Sequence, residues 1–326
     1  MNNLLKIKKA DLEQKHALIE SAKKYIEAST APATRKAYAS DWKIFCSWCI
    51  DNGQIELPAD PETLVLFLTD QAQTGTAPAT LTRRLAAIKF AHEAAGHESP
   101  TALKIVTATL KGIKRDTGAA KKQKAPATAD RLAIMLGAIP KALAGKRDKT
   151  LTEKRDRAIL LLGFAGAFRR SELAALTVED LEETEKGLNI TIRKSKTAQE
   201  GVGQVVAIPN GLYLQPVKAL RDWLNAAGIT TGPIFRPITQ WGGVRPVAIT
   251  DKSIAETVKK YAHAAGFNPD DFAGHSLRAG FLTTAAEKGA TVFKMAEVSR
   301  HKSIETLRGY VRSAELFKDH AGSAFL

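Results

Sequence analysis

Six polar side chains in the second half of the chain are of the types that together can cut a phosphodiester. In chain order they are Arg169, Lys196, His275, Arg278, His301 and Tyr310. The transition state of phosphoryl transfer gains negative charge, which the planar fork of an arginine can stabilise by binding two oxygens. A tyrosine can be the nucleophile, but its free pKa near ~10 means that a base or nearby cations must activate it. The two histidines and two arginines would supply both.

The spacing of these residues indicates how they would work. His275 and Arg278 are three positions apart, so on a helix they share one face. Arg169 and Arg278 each lie at the start of a predicted helix, where backbone amides add to the attraction for an anion. Lys196 falls at the predicted tip of a β-hairpin, from which it could protonate the departing 5′ oxygen. Lys194 would point to the same side of a regular strand, and physical chemistry does not separate the two lysines.

The neighbourhoods of these residues resemble the tyrosine recombinase (phage integrase) family. They read Phe-Arg-Arg-Ser-Glu-Leu over residues 168–173, Lys-Ser-Lys-Thr over 194–197, His-Ser-Leu-Arg over 275–278, and Gly-Tyr over 309–310 after His301. The resemblance favours Lys196 over Lys194, because the family lysine is usually followed by Thr or a similar small residue. One position departs from the family pattern: Arg300 stands where Gly usually precedes the second histidine. We expect Arg300 either to contact DNA or to crowd that turn.

The resemblance also implies a reaction and an assembly. Two domains would form a C-shaped clamp on duplex DNA that carries an inverted-repeat recombination site. Tyr310 would form a 3′-phosphotyrosine and release a 5′-hydroxyl, with the bond energy kept in the protein–DNA link, so that no ATP is needed. Four protomers would exchange strands through a Holliday junction as a homotetramer on DNA, while the free protein would be a monomer or weak oligomer.

Composition supports a nucleic-acid partner. Lys and Arg outnumber Asp and Glu by 14, an excess typical of proteins that bind a polyanion. No cofactor or metal is expected, because side chains fill every catalytic role and no Asp, Glu and His cluster has metal-site spacing. Cys46 and Cys49 form a Cys-x-x-Cys without a second ligand pair for zinc, so we predict reduced, packed helix residues. No apolar run reaches the ~20 residues of a spanning helix, and we expect a cytoplasmic, nucleoid-associated protein without a membrane partner.

Hydrophobic periodicity predicts a mainly α fold with a small β-sheet. Residues 1–20 would be a flexible arm, 21–116 a helical core-binding domain, 117–128 a linker and 129–326 a mixed α/β catalytic domain. The strands are expected over 188–193 and 204–208, joined as a hairpin. The tail over 314–326 carries more apolar side chains than an exposed terminus should. By resemblance, it would dock on the neighbouring protomer.

Basic residues outside the six are candidates for phosphate contacts. A stripe on the fourth predicted helix comprises Lys104, Lys111, Lys114 and Arg115, beside an apolar face at Leu103, Val106, Leu110 and Ile113. The full set of predicted DNA-binding residues is Arg83, Arg84, Lys104, Lys111, Lys114, Arg115, Lys121, Lys122 and Lys124. A solvated charged face remains the alternative interpretation of the stripe. Glu172, one helical turn after Arg169, would either orient the active-site cations or form an ordinary helix ion pair.

Two other functions use similar residues. A type IB topoisomerase would nick and reseal DNA with a comparable set, but the apolar tail is not needed by a chain that works alone. A catalytically inactive DNA-binding regulator would be expected to lack at least one of the six residues, and all six are present.

Overall fold

The computed structural model describes residues 14–21, 24–25, 29–118, 124–145, 149–193, 203–301 and 303–314. The chain divides into two compact units, with the boundary between Lys122 and Gln123. Helices dominate both units, and the strands of the described residues form one small sheet. The prediction of a mainly α fold with a small β-sheet is therefore confirmed. In the described part of the chain, no helix combines the length and apolar character that crossing a membrane requires.

The first unit packs helices around one apolar core. They are α1 (Pro32–Asp51), α2 (Pro61–Gln73), α3 (Pro78–Ala94) and α4 (Lys104–Asp116), with residues 14–21 also helical and a 3-10 turn over Pro100–Ala102. Proline begins α1, α2 and α3, because its fixed φ suits the first turn and its missing amide is not needed there. The core is made of fully buried side chains that include Phe45, Leu64, Phe67, Leu81 and Ile88.

Two predictions about this unit have different outcomes. Cys46 and Cys49 are free thiols, as predicted, and burial raises the pKa of Cys49 to about 11. That thiol is therefore protonated and unreactive at neutral pH. Leu103, predicted to face the core, is instead 49% exposed. It is the residue between the 3-10 turn and α4, so its backbone is extended, while Val106 and Leu110 lie one turn or more inside the helix and do pack on the core.

The second unit surrounds α7, a long helix whose middle is buried on most sides. Its helices are α5 (Ala129–Gly137), α6 (Ile139–Ala142), α7 (Lys149–Ala165), α8 (Arg170–Ala175), α9 (Pro216–Ala227), α10 (Asp251–Ala264), α11 (Ser276–Glu287), α12 (Val292–Ser299) and α13 (Ile304–Ala314). Ile159, Leu160 and Leu162 of α7 are fully buried. Trp223 of α9 is also fully buried, and its ring nitrogen donates to the Ile234 carbonyl at 2.9 Å. The buried indole N–H therefore has a hydrogen-bond acceptor inside the core.

The sheet contains β1 (Leu181–Thr184), β2 (Gly187–Ile192) and β3 (Gln204–Pro209), all antiparallel with β2 in the centre. The predicted hairpin corresponds to β2 and β3, where Leu188 lies opposite Ile208 and Ile190 opposite Val206. These four side chains are buried, which fixes the register. β1 was not predicted. The hairpin tip over 194–202, with both candidate lysines, lies outside the described residues.

The second half of the predicted linker belongs to the second unit. The Ala125 amide donates to the Asp271 carbonyl at 2.7 Å, and the Ala127 amide donates to the Ser276 carbonyl at 2.9 Å. Ala127 is fully buried, and a Cβ added to Gly280 of α11 would lie 1.8 Å from its carbonyl oxygen. Residues 124–128 are therefore packed on the helix that carries Arg278, and the unit begins before the predicted residue 129.

Candidate active site

A turn between α7 and α8 places Arg169. Ala167 has a φ of 44°, a left-handed conformation that is uncommon outside glycine. Phe168 is buried in the core, and its amide donates to the Gly163 carbonyl at 3.1 Å. Arg169 follows as the N-cap of α8, with its side chain 19% exposed. The buried Phe168 thereby fixes the direction in which Arg169 leaves the turn.

Glu172 is buried in the first turn of α8 and binds two arginines. Its Oε1 accepts from Arg169 Nη1 at 2.5 Å, and its Oε2 accepts from the Arg169 amide at 2.9 Å. Oε2 also accepts from Arg300 Nη2 at 2.8 Å. Burial acts to raise the pKa of Glu172, but the Arg300 charge and the bonds from Arg169 outweigh it and lower the pKa. The ionised carboxylate spans two elements, which favours the orienting role over an ordinary helix ion pair.

Arg278 lies in the first turn of α11 and is fully buried. Its Nη1 donates to the Ala167 carbonyl at 2.7 Å, and its Nη2 lies 3.2 Å from His301 Nδ1. Burial, followed by the charges of Arg169 and Arg300, lowers the pKa of Arg278 to about 9, so the guanidinium is still cationic at neutral pH. Its Nε is buried without a hydrogen-bond partner in the described structure. His275 is the exposed N-cap residue of the same helix.

His301 follows α12 and is held between Ser299 and Arg278. The Ser299 hydroxyl donates to the Met295 carbonyl at 2.6 Å, and the same oxygen lies 2.8 Å from His301 Nδ1. Because the serine proton is used on Met295, Nδ1 is the donor to Ser299, and Nε2 is then the acceptor that faces Arg278 at 3.3 Å. Burial, then the charges of Arg278 and Arg169, lower the pKa of His301 to about 4. The ring is therefore neutral at physiological pH.

Tyr310 is half-buried on α13, where it packs against a small cluster that includes Leu282, Met295 and Leu307. Burial raises the pKa of its phenol, and the positive charge of Arg278 acts in the opposite direction. The phenol is protonated at neutral pH and needs a proton acceptor to become a nucleophile. Tyr261 is not available for such a role, because it is fully buried and its hydroxyl donates to Asp156 Oδ2 at 2.6 Å.

The structure brings five of the six predicted residues to one region. Hydrogen bonds link Arg169 to Glu172, and Arg278 to the Nε2 of His301, while the Ala167 carbonyl accepts from both Arg278 and Arg300. His275 acts electrostatically on His301, and Arg278 acts electrostatically on Tyr310. Lys196 lies outside the described residues. Three guanidinium groups face one carboxylate in this network, so its net charge is positive and suits an anion.

Arg300 is placed differently from either expectation. Its side chain is 3% exposed, and both of its terminal nitrogens already donate within the protein. It ends α12 with a left-handed φ of 57°, the conformation for which glycine is usual. The side chain turns inward to Glu172 and the carbonyls of Gly166 and Val298. Sequence reasoning missed this because a charged residue after a helix is ordinarily read as exposed.

The candidate phosphate-binding residues divide into two groups. Lys104, Lys111, Lys114 and Arg115 are all exposed on α4. Arg83 is half-exposed but already binds the buried carboxylate of Asp41, at 2.6 and 3.0 Å. Arg84 departs from the prediction, since its side chain is 12% exposed and donates to Gln71.

Of the three linker lysines, Lys124 is among the described residues. Lys124 donates to the Asp270 carbonyl within the second unit. Lys121 and Lys122 lie outside the described residues. Within the described ranges, no group of three or more His, Cys, Asp or Glu side chains is arranged to hold a metal ion.

Comparisons with known proteins identify the family of the chain. The sequence profile of the Phage integrase family matches residues 139–316. An integrase/recombinase xerD homolog of Selenomonas ruminantium is 39% identical over 325 residues, covering 98% of this chain and 93% of that protein. The tyrosine recombinase XerD of Lacticaseibacillus casei is 28% identical over 302 residues, covering 90% and 93%. In fold, the chain is similar to XerH site-specific recombinase bound to palindromic difH substrate, with a TM-score of 0.61, 19% identity and coverage of 81% and 72%.

Proposed function

The chain belongs to the phage integrase family and is a tyrosine site-specific recombinase, and we propose that Tyr310 cuts DNA with the five cationic or titratable residues named above. Arg169 and Arg278 hold the two non-bridging oxygens of the scissile phosphate. The observation that carries this assignment is the contact of buried Arg278 with half-buried His301, together with the bond from Arg278 to the Ala167 carbonyl in the turn that holds Arg169. Guanidinium groups that are largely removed from water are suited to bind a phosphate.

Cleavage proceeds in one displacement at phosphorus. The Tyr310 oxygen attacks, its proton passes to a histidine, and the phosphorus–O5′ bond breaks. Neutral His301 and exposed His275 are the two histidines that can take this proton, and the Nε2 of His301 must give up its bond from Arg278 to do so. Lys196 donates a proton to O5′, which leaves as a hydroxyl. The product is a 3′-phosphotyrosine, and attack by a 5′-hydroxyl from a second duplex reverses the same steps to join new strands.

Strand exchange requires more than one protomer. Each active site cuts one strand, so recombination between two duplex sites uses four copies of the chain, acting two at a time through a Holliday junction. The partner DNA is a site with inverted repeats around a short spacer; among proteins of similar fold, XerH site-specific recombinase was solved with a palindromic difH substrate and a lambda integrase dimer with a COC' core site. The positive net charge of 14 favours this partner.

The test is covalent trapping on a nicked suicide substrate built from inverted repeats found in the DNA that flanks the gene. Tyr310→Phe should abolish the covalent product and leave DNA affinity nearly unchanged, because binding comes from many phosphate contacts. Tyr213→Phe is the matched control, since Tyr213 is 96% exposed, and it should cleave like the wild type. Cleavage should also persist in excess EDTA. A covalent adduct formed by Tyr310→Phe would refute the assignment of the nucleophile.

A further inference from the structure

Arg300 is a charged side chain that the proposed cleavage steps do not use, although it is buried beside the residues that perform them. Its side chain is 3% exposed. Nη1 donates to the Gly166 carbonyl at 3.1 Å and the Val298 carbonyl at 2.7 Å, and Nη2 donates to Glu172 Oε2 at 2.8 Å. The guanidinium also lies over the Phe168 ring, 5.2 Å from its centre. Burying a charge is costly, so this arrangement calls for a function beyond packing.

The contacts of Arg300 join two parts of the second unit that are distant in sequence. One is the turn of Gly166, Ala167 and Phe168, which directs Arg169. The other is the end of α12, where Arg300 is directly followed by His301. Glu172 binds both arginines, one through each carboxylate oxygen. A displacement of Arg300 would therefore change the positions of both Arg169 and His301.

The charges of Arg169, Glu172 and Arg300 also connect Arg300 to Arg169. Arg169 Nη1 lies 2.5 Å from Glu172 Oε1, close enough for the carboxylate alone to neutralise the arginine that must bind phosphate. Arg300 binds the second oxygen and shares that negative charge. The three groups together keep one net positive charge, which Arg169 can direct at an anion.

We propose that Arg300 is a positioning residue that acts on Arg169 through Glu172, drawing the carboxylate's charge away from Arg169 while tying the Arg169 turn to the segment that carries His301. This inference rests on the proposed function of Arg169 as a phosphate ligand. It adds to the site a third arginine whose own guanidinium does not touch the substrate.

A double-mutant cycle between Arg300 and Glu172 tests the proposal. The variants are Arg300→Gln, Glu172→Gln and the pair together, measured for single-turnover covalent cleavage of the suicide substrate at saturating DNA. Each single change should slow cleavage by about 10- to 100-fold, as loss of an orienting partner does, with the dissociation constant for DNA changed by less than about twofold. In the pair, two neutral amides can bond to each other and leave Arg169 fully charged. The pair should therefore be no slower than the slower single variant.

The results that overturn the proposal are equally definite. Arg300→Gln cleaving at the wild-type rate would remove the positioning role. Single defects that multiply in the pair would show that Arg300 does not act through Glu172. A loss confined to DNA affinity would make Arg300 a binding residue.

A second variant and a second probe cover the remaining outcomes. If Arg300→Gln does not fold, Arg300→Lys replaces it. Lysine keeps the positive charge, but a single ammonium group cannot bond to the Glu172 carboxylate and to both backbone carbonyls. Arg300→Lys should therefore cleave more slowly than wild type. A wild-type rate for Arg300→Lys would then refute the proposal. Binding of inorganic phosphate can be measured by NMR from the resonances of the His301 ring. Arg300→Gln should bind phosphate more weakly than wild type, and the double variant with Glu172→Gln should regain affinity.

The phosphate titration separates failure of this inference from failure of the proposed function. A wild-type protein that forms no covalent product with any flanking repeat would contradict the proposed function. The phosphate affinities would still decide whether Arg300 controls Arg169 through Glu172. Equal affinities in wild type and Arg300→Gln would overturn the inference, whatever the DNA result.

Discussion

His301 should stay neutral far below the pH at which an ordinary histidine becomes charged. Burial and the neighbouring guanidinium groups of Arg278 and Arg169 lower its pKa from 6.5 to about 4. In the unfolded chain the ring regains its ordinary pKa, so between about pH 6.5 and pH 4 the unfolded state binds more protons than the native state. The depressed pKa therefore costs no stability near neutral pH, and stability falls as the pH drops through that window.

The size of the effect follows from the difference between the two pKa values, 6.5 − 4 = 2.5. At about 1.4 kcal/mol for each pKa step, the largest possible loss is roughly 3 kcal/mol. The ring is only half-buried, so water screens the charges, and a loss of about 1–2 kcal/mol at acid pH is the better expectation.

Two measurements check this prediction. NMR titration of the seven histidine rings, with His301→Asn to assign the resonance, gives the native pKa directly. Urea unfolding at about pH 7 and about pH 4.5 gives the stability change, and the difference between wild type and His301→Asn isolates this ring from the other titrating groups. Inorganic phosphate should raise the native pKa, because an anion offsets the charge of Arg278.

A His301 ring that titrates near its ordinary pKa would refute this reasoning. An equal loss of stability on acidification in both proteins would do the same. Either result would mean that the ring does not lie against Arg278 in solution, and the assignment of neutral His301 as a proton acceptor would then lose its basis.

Three further predictions concern other parts of the chain. Lys196→Ala should cleave poorly but recover on a substrate with sulfur at the 5′ bridging position, since sulfur leaves without protonation; equal defects on both substrates would argue against a general acid at this position. Neutralising Lys111 and Arg115 should flatten the salt dependence of DNA binding without changing site preference, whereas Lys252→Gln should leave the salt dependence unchanged. An unchanged slope in the Lys111 and Arg115 variant would mean that the stripe is a solvated face. Deleting residues 315–326 should spare single-site binding but weaken cooperative loading and recombination, measured by gel shift and strand exchange, and intact cooperativity would exclude docking of the tail on a neighbouring protomer.

The elements that sequence patterns predicted well are those with strong periodicity. In α12, for example, the buried Met295 and Ser299 are four positions apart, the spacing of one helical face. β2 and β3 were found for the same reason, since their apolar residues alternate. β1 was missed because its Leu-Glu-Glu-Thr run is largely exposed and pairs along only one edge, so no apolar alternation marks it.

The residue types of the site could be predicted from the sequence, but the contacts that hold these residues in place could not. The identities of Arg169, His275, Arg278, His301 and Tyr310 follow from chemistry and order. The role of Arg300 could not be read in advance, because its burial depends on contacts with Gly166 and Glu172, more than a hundred positions earlier in the chain. Arg84 illustrates the same limit, since its burial depends on Gln71 and Asp41 on two other helices.

The packing of Ala127 against Gly280 has a practical consequence for engineering. Chimaeric proteins that exchange the first unit for that of another recombinase need a junction that leaves the second unit intact. A cut at residue 128, where composition suggests the linker ends, would remove the extended segment whose amides bond to Asp271 and Ser276 on either side of His275. The graft would then expose the flank of α11 left bare beside Gly280 and loosen Arg278. A junction within residues 117–123 keeps that segment with its own helix, and it is there that first units should be exchanged.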